Sequence, residues 1–150
     1  MKYAVETQAL LALLRAALWE TPPDEALFPL SADAWQRVFR LAEEQTVTAV
    51  AYRALAQLPE TMLPPEALII RWVATTDRIV RHNRTMDAVL RRLCSAFWAE
   101  GLRPILLKGQ ASAECYPQPL LRQAGDIDLY FPQNGDAQRA EAWVRRQGVH

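Results

Sequence analysis

A chain of 150 residues, 51% hydrophobic and 23% charged, has ordinary globular composition and enough length for one real core or two very small ones. Its 17 basic and 17 acidic side chains cancel to a formal net charge of zero, which removes the simplest electrostatic case for binding nucleic acid or an anionic membrane. Cys94 and Cys115 stand far apart, with no CxxC pair and no histidine-rich neighbourhood. They read as reduced thiols, not as a disulfide framework or a zinc site.

Leu10, Leu11, Leu14, Ala17 and Leu18 recur at helical spacing and predict an amphipathic helix over residues 5–19. Residues 10–14 have the apolar look of a signal-peptide core. Glu6 precedes them, however, Arg15 interrupts the run, and no small-residue cleavage pattern follows. No apolar stretch approaches the ~18 residues of a membrane span, so a cytoplasmic location without membrane contact is expected. Thr21-Pro22-Pro23-Asp24 ends the first helix, because consecutive prolines cannot continue one. Ser31 is placed to N-cap a second helix carrying Trp35, Val38, Phe39 and Leu41. The β-branched patch Thr46-Val47-Thr48 predicts a break before helix resumes over 49–58, and Pro59 and Pro64-Pro65 mark the next boundary.

Residues 66–100 contain neither glycine nor proline and predict one long helix, with Gly101 where a C-terminal glycine belongs. Trp72, Ile79, Met86, Leu90, Leu93 and Phe97 fall on one face, and Trp98 is also expected in the core. Arg71, Arg78, Arg81, Arg84, Arg91 and Arg92 occupy the opposite side. Asp77, Asp87 and Glu100 are interleaved with them, so a solvated face is expected in preference to an RNA-docking surface. His82 has no cysteine or second histidine at ligand spacing and is expected in solvent.

The texture changes after Gly101. Residues 103–109 form a short apolar run between proline and glycine, the signature of a buried strand. A short helix over 110–116 and a proline loop follow. Residues 125–132 then alternate strictly as a second strand, and Asp136 opens a last helix through Trp143 and Val144, closed by Gly148. On a strand, Asp126 and Asp128 project to one face while Ile127, Leu129 and Phe131 face the other. Two carboxylates roughly 7 Å apart along the backbone can converge on Mg²⁺, and a cation is what relieves their mutual repulsion. Lys108-Gly109 ends the preceding strand. Glycine admits a phosphate close to the backbone, the N–H groups opening the next helix favour an anion, and Lys108 adds a point charge. Arg122 is a further phosphate ligand within reach of the same pocket. Asp-x-Asp alone is weak, since chance supplies about one such triplet in this length; the composite of strand, Lys-Gly turn and alternating acidic strand is far rarer. Cys115 lies near this pocket with no neighbouring base to activate it.

Ile105-Leu106-Leu107-Lys108-Gly109, then Tyr116, then Leu121-Arg122-Gln123-Ala124-Gly125-Asp126-Ile127-Asp128-Leu129 resembles the core motif of a bacterial family of uncharacterised nucleotidyltransferases in the polymerase-beta-like superfamily. The motif covers under a fifth of the chain. The resemblance implies an α+β, mostly helical fold: a helical bundle over 1–100, then the start of a nucleotidyltransferase mixed sheet over 101–150. It also implies two Mg²⁺ ions as cofactors, held by Asp126 and Asp128, and an NTP donor at Lys108, Gly109, Gln110 and Arg122. The implied reaction passes a nucleoside monophosphate to an unknown acceptor, whether protein, RNA or small molecule.

Two departures stand out. Gln110 follows the glycine where the superfamily usually has serine or a second glycine, and its amide is expected to bond a phosphate instead. The third carboxylate, normally on a later strand, has no counterpart before His150, so the chain reads as the N-terminal piece of a longer protein. The alternative expectation is a non-catalytic helical interaction module with a degenerate nucleotidyltransferase segment. A partial sheet leaves an unpaired edge, which predicts a homodimer.

Overall fold

The structure, a computed structural model, describes residues 4–147. Of the first three helices, α1 (Val5–Trp19) packs on α2 (Ala32–Glu44) and α3 (Thr48–Leu55), and α3 with the aromatic side chains of α2 packs against the first half of a fourth, α4 (Glu66–Ala99). Ser31 caps α2 as its sequence predicts, its hydroxyl accepting from the N–H of Ala34 at 3.2 Å. The break before α3 falls at Thr46, whose φ of +55° is rare for a β-branched residue and cannot propagate a helix. The apolar faces meet around Leu13, Trp35, Phe39, Leu68 and Trp72, all essentially removed from solvent. Trp72 centres this core. Its ring meets those of Trp35 and Phe39 edge-on, with centroids at 6.2 and 5.2 Å. Its Nε1–H donates to the carbonyl of Thr48 at 2.9 Å, so the ring is buried without a polar debt.

With 34 residues, α4 is roughly 50 Å long and outruns the first core. Trp72, Ile79 and Phe97 are buried along it, and Met86, Leu90 and Leu93 are half-buried; the six arginines and His82 of the opposite side are exposed. The helix ends in a Schellman motif. Gly101 takes a φ of +75°, its N–H reaching Trp98 O (3.1 Å), and Leu102 N–H reaches Phe97 O (2.9 Å). That turn drops Leu102 onto Phe97 and seeds a second cluster with Leu129, Phe131 and, from α6 (Asp136–Arg146), Ala140, Trp143 and Val144. Phe97 meets Phe131 and Trp143 edge-on, both at 5.4 Å. Trp98 departs from the core expectation and is 56% exposed. Being next to Phe97, it points about 100° around the helix, away from the face that α6 covers. The glycine predicted to close α6, Gly148, lies outside the described residues.

The sheet is smaller than predicted. β1 (Ile105–Leu106) and β2 (Leu129–Tyr130) pair antiparallel, Ile105 opposite Tyr130 and Leu106 opposite Leu129. One further bond, Leu107 N–H to Asp128 O at 3.0 Å, extends the contact. It goes no further because Gly109, at φ +60°, turns the chain into α5 (Gln110–Ala113), a single turn where a helix to 116 was expected. Asp126 and Asp128 therefore sit in the extended lead-in to β2 and not within a long strand. Among the described residues no helix is long and apolar enough to cross a membrane.

Candidate functional site

The turn after β1 brings together most of what the sequence nominates. Gly109 has φ +60° and ψ −116°, a conformation closed to ordinary L side chains, and a Cβ there would stand 2.9 Å from the backbone oxygen of Asp126. Glycine is thus required twice at one position, by backbone angle and by close approach. Arg122 holds the same residue from behind, its Nη1 donating to Gly109 O at 3.1 Å.

The two aspartates differ in surroundings. Asp126 is exposed and makes no hydrogen bond or ion pair among the described residues. Asp128 is half-buried, with its Oδ2 3.2 Å from the ammonium of Lys108. That oxygen is out of contact with solvent and lacks a well-directed hydrogen bond, so the Lys108 contact is ionic in character. With the lysine largely exposed, such a pair contributes at most about 1 kcal/mol. Lys108, Gly109, Arg122, Asp126 and Asp128 are therefore one local group, linked through Lys108–Asp128, Arg122–Gly109 and Gly109–Asp126.

Gln110 is the exception. Its side chain is buried, and both amide atoms lack a partner. It lines a small cavity with Asn83, Asp87, Glu114 and Arg122, which excludes the aspartate pair. The expected amide contact to a phosphate is replaced by a position against α4. The helix N-terminus expected to attract an anion is also weak. α5 has only four residues, and the N–H groups of Ala111 and Ala113 already bond Lys108 O and Gly109 O at 3.1 Å each.

One residue escaped the sequence reading. Asn83 is 3% exposed and donates through Nδ2 to the carbonyls of Leu120 (2.7 Å) and Arg122 (2.8 Å). Its signal was present: it follows Ile79 by one helical turn and is a polar residue on the apolar face of α4. Both cysteines are free, and burial pushes the Cys94 thiol above its ordinary range, which keeps it protonated and unreactive.

Asp126 and Asp128 offer the hard oxygen donors that Mg²⁺ takes. Among the described residues no group of three or more histidine, cysteine or acidic side chains could hold a metal ion. No curated protein and no solved structure matches the chain. The family model described as "Uncharacterised nucleotidyltransferase" matches residues 31–150, from the cap of α2 onward through the turn and both aspartates. On that match the chain belongs to the uncharacterised nucleotidyltransferase family.

Proposed function

We propose that the nucleotidyltransferase-like chain holds an Mg²⁺–NTP complex at the Lys108–Gly109 turn and passes a nucleoside monophosphate to an acceptor. In that reaction an acceptor hydroxyl oxygen bonds the α-phosphorus and gives up its proton to solvent, the bond from the α-phosphorus to the bridging oxygen of the β-phosphate breaks, and pyrophosphate leaves. Asp126 and Asp128 would hold the metal, which when bound neutralises charge on the phosphate oxygens. The chain's own contributions follow from the geometry. Gly109 lets the turn close on the Asp126 backbone and so brings Lys108 to the acidic segment, the exposed Lys108 supplies a mobile positive charge, and Arg122 has guanidinium donors beyond the one spent on Gly109 O. The acceptor stays open between a protein side chain, an RNA end and a small molecule.

The observation that supports this reading is an Asp128 whose buried oxygen meets only an exchangeable lysine, two residues after an exposed, unpartnered Asp126 whose backbone lies against the glycine turn. Calorimetric titration of NTP with Mg²⁺ tests it. Asp126→Asn/Asp128→Asn is expected to weaken binding by tenfold or more, consistent with loss of charged ligands, and equal binding by both proteins removes the site.

A second reading keeps nucleotide binding without transfer, in a helical interaction module whose nucleotidyltransferase segment is degenerate. It is favoured by the lack of a third acidic partner among the described residues. Binding that never yields pyrophosphate with any acceptor class would select it. Self-association belongs to the same proposal. Ile105, Leu107 and Tyr130 flank the acidic pair and are 50%, 54% and 51% exposed on a ribbon with open edges. Light scattering is expected to report a dimer, and a monomeric mass would exclude one.

A further inference from the structure

We infer that Asn83, halfway along α4, is a positioning residue for the phosphate turn, acting through Arg122 and Gly109. An asparagine on the buried face of a helix costs stability unless its amide is bonded. Here Nδ2 is committed to Leu120 O and Arg122 O at 2.7 and 2.8 Å, which fixes the backbone from which the Arg122 side chain departs. The Arg122 guanidinium then donates to Gly109 O at 3.1 Å, and Gly109 lies directly against the backbone of Asp126. A continuous series of contacts therefore runs from the middle of α4 to the lead-in of the acidic pair. The helix is a firm base for it, because α4 contributes Trp72 to the first core and Phe97 to the second.

A second observation points the same way. Asn83 Oδ1 and both amide atoms of Gln110 are buried and unpaired, and the two residues line a common cavity of about 20 Å³. That volume suits one water, which can donate to Asn83 Oδ1 and accept from Gln110 Nε2. It would tie α5 to α4 beside the direct chain through Arg122. The bland alternative is that Asn83 only pins the 119–122 loop for stability.

The consequence for nucleotide binding rests on the proposed function; the chain of contacts does not. The test uses the full chain with Asn83→Asp, which keeps size and removes the donor, and Arg122→Gln, which cuts the middle link at a half-buried side chain. Amide ¹H–¹⁵N shifts of Gly109 and Asp126 are recorded well below the melting temperature, alongside titrations with Mg²⁺ and each of ATP, GTP, CTP and UTP. Each variant is expected to move both amide signals and weaken nucleotide binding about tenfold. The double variant is expected to lose no more than the weaker-binding single, because residues in one chain are not additive. Unmoved Gly109 and Asp126 signals in a folded Asn83→Asp protein overturn the inference, as do fully additive losses. Should Asn83→Asp not fold, Asn83→Ser, too short to reach both carbonyls, is read in its place, and unmoved Gly109 and Asp126 signals there overturn the inference equally. A wild-type chain that binds none of the nucleotides sinks the proposed function, and the amide shifts still decide the role of Asn83.

Discussion

Trp72→Ala is expected to destabilise the chain by about 3–5 kcal/mol, the largest stability loss of any single truncation here. The indole is fully buried, and its removal leaves an unfilled volume between Trp35 and Phe39, both of which meet it edge-on. It also removes the indole N–H bond to the Thr48 carbonyl, which opens α3 and keeps its helical partner, so this loss adds little to the cavity cost. Because α1, α2, α3 and α4 share this one cluster, no neighbouring element can close the gap by moving alone. Against a typical total of about 5–15 kcal/mol, that is a third or more of the stability of an average domain. Urea denaturation read by far-UV circular dichroism measures this directly, with Trp72→Phe falling between variant and wild type. A loss below about 1 kcal/mol would mean that the α1–α4 cluster is not the cooperative core.

Gly109→Ala is expected to abolish nucleotide binding while leaving that core intact. The backbone conformation alone costs an alanine about 1–3 kcal/mol, and the added Cβ meets a main-chain oxygen 2.9 Å away. A flexible side chain would yield to that contact, but the obstacle here is the backbone of Asp126 itself. Relief requires moving either the turn or the acidic segment, which changes how Gly109 and Asp126 face one another. Calorimetry with Mg²⁺ and NTP should show at least a tenfold loss, with tryptophan fluorescence of the first core unchanged. Gly125→Ala is the matched stability control, since its Cβ would meet nothing within 4 Å. Retention of full affinity by Gly109→Ala would show that the turn does not receive the triphosphate.

What was legible in the sequence follows from how local each signal is. α1 is bounded by prolines, α2 by a serine cap and α4 by Gly101, so these helices follow from punctuation and apolar spacing. The strands were overread, because alternation at 125–132 and an apolar run at 103–109 describe faces, not pairing. Pairing stops where Gly109 leaves the ribbon, and a positive φ does not announce itself in composition. Among the nominated site residues, Lys108, Gly109, Arg122 and the aspartates are neighbours in space as they are in the motif. Gln110 instead lines a cavity with Asn83, because a side chain one residue beyond a turn can face either way and the sequence does not say which. Asn83 lies 37 and 39 residues from the carbonyls it holds, a separation that no local pattern encodes.

The ammonium resting against Asp128 has a bearing on the order of events. Lys108 is largely exposed, so a divalent ion taken up by Asp128 alone would displace its side chain toward water and leave it without an anion. An ion already escorted by polyphosphate offers the displaced lysine a new anion in the same encounter. In the proposed reaction, metal and nucleotide would therefore enter as one complex, with Lys108 passing from Asp128 to the polyphosphate.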